Sequence, residues 1–121
     1  MLPSSKLRFA EHGARNTVAI FRCPGCNDNH QVRIKSLDYP DACWTYNDKP
    51  DKPTFQPSIL VTGTLPMTDE QHGLYMLYKI LPTPVAYRCH SFITAGRIQF
   101  LSDCTHALAS TTVDLPDLRL E

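Results

Sequence analysis

Apolar and polar side chains alternate along this chain in short stretches, so the pattern divides it into extended segments. Residues 17–21 are an apolar, partly β-branched run, and in residues 31–35 Val32 and Ile34 alternate with Gln31, Arg33 and Lys35. A period of two puts successive side chains on opposite faces, so 31–35 reads as a half-buried strand with one polar side. Between the two runs stands Cys23-Pro24-Gly25-Cys26, whose Pro and Gly favour a tight turn. The arrangement predicts a β-hairpin carrying two thiols at its tip.

From residue 36 to 57 the pattern changes, because Pro40, Pro50, Pro53 and Pro57 forbid long regular elements. A short strand is expected around Trp44, which reads as a core anchor, and an apolar strand at 59–61 that ends at Gly63. Thr68-Asp69-Glu70-Gln71 has the form of a capping box. Leu74, Leu77, Tyr78 and Leu81 then recur at helical spacing until Pro82, predicting one amphipathic helix whose apolar face packs on the body. Residues 85–93 and 97–101 read as a second hairpin across 94–96, with Gly96 free to adopt the positive φ of the turn. Residues 112–115 make a last short strand. Residues 1–16 read as an irregular arm, with Leu2, Leu7 and Phe9 docking on the body, and 17–121 as a single domain. The fold class is therefore mostly β, a small α+β domain of two hairpins and one helix.

Composition narrows the function. With 121 residues, 42% hydrophobic and 20% charged, the chain has the makings of one folded domain and is too polar in pattern to span a bilayer. Twelve basic residues balance twelve acidic ones, which argues against a broad electrostatic grip on nucleic acid. A local patch of Arg22, Arg33, Arg88 and Arg97 keeps a nucleic-acid-associated module as an alternative. Five cysteines is an odd number and no apolar leader stands at the start, so a reducing, cytoplasmic home is expected.

In such a compartment a C-x-x-C pair between two strands suggests metal before disulfide. A tetrahedral ion needs two further ligands, and the chain offers Cys89, His90, Cys104 and His106. Cys89 and His90 are neighbours on an expected strand and point to opposite faces, so both cannot meet one ion without a bulge. The expected zinc site is Cys23 and Cys26 with His90 and either Cys104 or His106, leaving Cys89 as a further alternative. His30 reads as a solvated turn residue, and His12 and His72 as surface. The hydroxyls of Thr54 and Ser58 read as satisfying backbone groups among the prolines.

No H-E-x-x-H, nucleophile elbow or deaminase signature is complete. Asp103, beside Cys104 and His106, leaves a metal hydrolase as a third hypothesis. The sequences F-R-C-P-G-C-x-x-x-H, W-T-Y-N-D, P-T-F-Q-P-S-I and C-H-S-F-I-T-A-G-R-I-Q-F-L-S-D-C-T-H-A-L-A together resemble a family of small phage and prophage proteins of unknown function, often labelled ammonia monooxygenase. The resemblance implies a phage-borne zinc domain acting inside a bacterial cell, and members of that family carry Ala-Gly where this chain has Ala109-Ser110. It leads to a non-enzymatic interaction module whose partner is a host or phage protein, with inhibition of a host defence system as one such role.

Overall fold

The computed structural model describes residues 5–118 apart from 12 and 14. The expectations for Leu2 and His12 lie outside the described residues. The first three strands, β1 (Arg8–Glu11), β2 (Asn16–Cys23) and β3 (Asp28–Ser36), form an antiparallel sheet in the order β1-β2-β3. The arm was expected to be irregular, yet residues 8–11 pair with residues 17–20 of β2. This pairing satisfies backbone groups along the outer edge of β2, a demand that side-chain pattern does not express.

A second antiparallel sheet holds β4 (Thr45–Tyr46), β5 (Phe55–Thr64), β6 (Ala86–Thr94), β7 (Arg97–Phe100) and β8 (Thr112–Asp114), in that order. The chain is thus mostly β, with two antiparallel sheets and one helix. Leu7, Ala19, Phe21 and Val32 from the first sheet region join Phe55, Ile59, Ile93, Ile98, Phe100 and Leu115 in one buried cluster. Cys23, Cys89 and Cys104 belong to the same cluster.

Strand β6 shows why one face matters. Cys89, Ser91 and Ile93 are buried, while Ala86, Arg88, Phe92 and Thr94 are exposed and His90 is half-buried. The β6–β7 turn forms at Ala95 and Gly96, with φ of 50° and 80°. Both residues sit in the left-handed region that a two-residue hairpin of matching twist requires.

Helix α1 (Asp69–Tyr78) lies between β5 and β6 and begins with a complete capping box, the Thr68 side chain accepting from Gln71 N–H and Gln71 reaching back to Thr68 N–H. It stops at Tyr78, before Pro82, because Lys79 turns left-handed at φ 57°. None of its residues is buried, and Leu77 is 75% exposed. The apolar spacing that suggested packing instead leaves Leu74, Met76, Leu77 and Tyr78 open to solvent. Periodicity identifies a helix but not whether a surface waits to receive it.

Candidate functional site

Four side chains from three parts of the chain converge where the two sheets meet. Cys23 ends β2, Cys26 follows in the turn, Cys89 projects from the inner face of β6, and His106 comes from the segment after β7. One ligand atom from each lies within 4.8 Å of all the others, a grouping that could hold a metal ion. Cys23 Sγ and Cys89 Sγ are 3.8 Å apart, and the Cys26 N–H reaches Cys23 Sγ at 3.4 Å.

Two observations fit an ion there. His106 stands edge-on to Phe100 with ring centroids 4.5 Å apart, and the Leu108 N–H approaches its Nδ1 at 3.2 Å. Its Nε2 is buried with no hydrogen-bond partner, an orphan that costs free energy unless something binds it. Ligation through Nε2 would put the ring proton on Nδ1 and displace the Leu108 N–H contact. The knuckle backbone is also cut to admit this ring: a Cβ on Gly25 would sit 2.3 Å from His106 Cε1 and 2.4 Å from Nε2. Only a residue without a side chain allows that approach.

The thiols share charge unevenly. The hydrogen bond from Cys89, aided by His30 and the Cys26 N–H, holds Cys23 down at about 4 against the opposing effect of burial. Burial, and then the Cys23 charge, push Cys26 up to about 11. The hydrogen bond to Cys23, followed by burial, drives Cys89 upward too. Cys23 is thus the most acidic of the three, and the soft donor set becomes fully anionic only when a cation displaces the remaining protons.

Of the residues named from sequence, Cys23, Cys26 and His106 meet in this group, and His90 and Cys104 do not. Cys89 takes the place expected of His90 because parity on β6 turns it inward and His90 outward. Cys104 is instead bonded to the His90 backbone, its Sγ lying 3.2 Å from both the N–H and the carbonyl. His30 is not a solvated turn residue: it is buried edge-on against Phe21, with centroids 5.7 Å apart. Its position on β3 opposite Phe21 carries it inward.

The outward face of β6 holds a second constellation, which motif reading missed. His90 Nε2 lies 3.0 Å from Ser58 Oγ on β5, and His90 Nδ1 lies 3.2 Å from Asp103 Oδ2. A hydroxyl, an imidazole and a carboxylate in that order, linked through the two ring nitrogens, have the geometry that a nucleophile, a base and an orienting group require. Asp103 is fixed because its segment continues along β6, with Leu101 N–H donating to His90 O and Thr105 N–H to Arg88 O, each at 2.9 Å. The Thr105 hydroxyl also accepts from Arg88 N–H at 3.0 Å. Ser58 is held by its own backbone, whose carbonyl accepts from Trp44 Nε1–H at 3.2 Å. Trp44 therefore packs on the core and also braces the segment that presents Ser58. Thr54, by contrast, spends its hydroxyl on Ala95 N–H.

The one available signal was parity: with Cys89 facing in, His90 must face out and needs partners there. The four arginines considered as a patch each have local partners: Arg97 with Asp114, Arg88 with Asp103, Arg22 with Asn27, and Arg33 over Tyr39. Among the described residues no helix is long and apolar enough to cross a membrane.

The family described as "Bacterial ubiquitination-like system serine protease (BubE)" matches the chain over residues 2–101. The description names neither phage nor metal. No curated protein and no solved structure matches the chain.

Proposed function

We propose that this chain, which belongs to the BubE family, is a serine protease that uses Ser58 as nucleophile, His90 as general base and Asp103 as the orienting acid. The Ser58–His90–Asp103 geometry, with contacts of 3.0 and 3.2 Å, carries this reading. The serine protease named in the family description supports it.

In this reaction His90 Nε2 removes the Ser58 proton as Oγ attacks the carbonyl carbon of a polypeptide bond. The resulting imidazolium is stabilised by Asp103 across Nδ1–H, then returns its proton to the departing amine. Water attacks the Ser58 ester in the second half, giving its proton to Nε2, and Nε2 passes that proton to Ser58 Oγ as the C–Oγ bond breaks and the carboxylic acid is released. Asp103 also lies 3.8 Å from the Arg88 guanidinium, which helps hold the carboxylate in place beside His90.

The ion we assign to Cys23, Cys26, Cys89 and His106 is zinc, because three sulfurs and one imidazole suit a tetrahedral structural site. Bound there, it would supply no reacting group but would tie the β2–β3 tip to β6 and to the segment bearing Asp103. Residues 89 and 90 adjoin, and Asp103 and His106 lie in one short segment. The clip therefore acts on the triad through covalent neighbours. The five cysteines, all free, support a reducing compartment such as the bacterial cytoplasm.

Labelling with a fluorophosphonate, followed by peptide mass spectrometry, tests the nucleophile. The expected adduct is on Ser58, absent from Ser58→Ala and from heat-denatured protein. Unmodified Ser58 in folded, metal-replete protein would overturn the reading. A second reading, a non-enzymatic interaction module bound to a host or phage protein, is favoured by one observation, the open apolar surface of α1. Partner capture that persists while the serine stays inert would support it instead.

A further inference from the structure

Around the triad the outer face of the second sheet is mainly polar, with Gln56, Thr62 and Thr64 on β5 and Arg88 and Thr94 on β6 exposed. Two large apolar residues break that pattern. Leu60 is 55% exposed and is the residue directly opposite His90 in the β5–β6 register. Phe92 is 40% exposed and lies two positions beyond His90 on the same strand face.

Directly opposed residues carry Cβ atoms about 5 Å apart, and same-face neighbours along a strand recur at roughly 6.6 Å. Both side chains therefore stand within reach of a group bound at Ser58 and His90. Their partners across the ladder offer little cover, since Gln99, opposite Phe92, is itself exposed. Single exposed apolar residues are ordinary on protein surfaces. Two of them bracketing one imidazole, on an otherwise hydrophilic face, are a local exception that a bound apolar group would cover. The face is open rather than enclosed, which suits an extended segment of chain laid across the strands more than a small molecule surrounded by walls.

We propose that Leu60 and Phe92 determine specificity, forming the subsite for an aliphatic or aromatic side chain within two residues of the bond that is cut. The proposal rests on Ser58 as nucleophile and adds the substrate class: an extended, locally apolar polypeptide segment.

The test digests a peptide library made from a bacterial proteome with the metal-replete protein and with its Leu60→Thr and Phe92→Thr variants. Threonine keeps strand propensity while removing apolar area. For the wild type, cut sites enriched in apolar residues within two positions of the bond are expected. In the variants that enrichment should fall by about tenfold, the scale on which apolar pockets discriminate. Enrichment compares sites within one digest, so an overall loss of rate cancels, and thermal melts check that the variants fold. Unchanged preference in folded variants would overturn the proposal. So would a wild type that cuts the library without apolar enrichment, or that turns over p-nitrophenyl acetate but leaves the library intact. Folded variants that cut nothing would equally overturn it, because a specificity surface tunes cleavage rather than creating it. An enzyme that neither turns over the ester nor takes the fluorophosphonate would instead remove Ser58 as nucleophile, and the subsite with it.

Discussion

Cys89 and His90 are adjacent in sequence and face opposite sides of one strand: Cys89, 2% exposed, joins the cysteine–histidine cluster, and His90 places Nε2 3.0 Å from Ser58 Oγ on the outer surface. One strand thereby carries a member of the cysteine–histidine cluster on its buried side and a member of the proposed triad on its open side. Any force that shifts β6 moves both. The segment after β7 repeats the device, with Asp103 bonded to His90 and His106 turned to the cluster.

The triad should behave as a unit. Ser58→Ala and His90→Ala are each expected to lower kcat on p-nitrophenyl acetate by several orders of magnitude, and the double variant by little more than either alone. Asp103→Asn should cost roughly 10³–10⁴-fold, since an amide cannot hold the same imidazole tautomer. Additive losses in the double variant would show that serine and histidine do not act together.

Metal content should follow the cluster and not the alternation-based set. Inductively coupled plasma mass spectrometry is expected to find one zinc per chain in the wild type and in Cys104→Ser and His90→Ala. The metal should be lost or sharply reduced in Cys23→Ser, Cys89→Ser and His106→Ala. Chelator treatment should lower the melting temperature and the esterase rate together, because metal affinity appears as folding free energy. Full activity in a metal-free protein would separate the clip from the triad.

Gly25→Ala should weaken the metal without touching a ligand. The added Cβ would meet the His106 ring at 2.3 to 2.6 Å, so either the ring or the knuckle must move. A fall in zinc affinity on the order of 10–100-fold is expected, as for other changes that disturb ligand orientation. Competition with a chromophoric chelator reads it directly.

Removing the helix cap should have a local effect. Thr68→Ala loses a capping box worth about 1 kcal/mol, but α1 buries none of its residues. Amide exchange within α1 should therefore quicken about fivefold, since little beyond the helix itself opposes fraying. The global melt should barely move. A drop of many degrees would mean that α1 packs on the body after all.

Ser110 stands at φ 64°, a left-handed position that costs a residue with a Cβ about 1 kcal/mol. Glycine adopts that conformation without the penalty, and Ser110→Gly is expected to raise the melting temperature by about 2–4 °C. A lower value would mean that the added freedom of the unfolded chain outweighs the relief.

The hairpins, the capped helix and the cysteine pair were readable because each depends on residues near one another in sequence. The Cys23-Pro24-Gly25-Cys26 turn, the Thr68–Gln71 box and the Ala95-Gly96 turn all carry their own local chemistry. Strand parity even separated Cys89 from His90, though not which of the two faced inward. The edge strand at 8–11, the burial of His30 and the exposure of α1 were not readable, since each depends on what another part of the chain leaves open. The triad was hidden for the same reason. Ser58 follows a proline on a strand and not at an elbow, and its partners lie 32 positions and farther along the chain.

By itself, then, the sequence determined the local elements, the β-rich class and the presence of a cysteine–histidine group suited to a metal, because propensity and spacing act over a few residues. Only the tertiary structure decided that Cys89 rather than His90 or Cys104 completes that group, and that Ser58, His90 and Asp103 meet on the opposite face. The β5–β6 register and the return of residues 101–105 along β6 made those choices, and both are consequences of burying one common core.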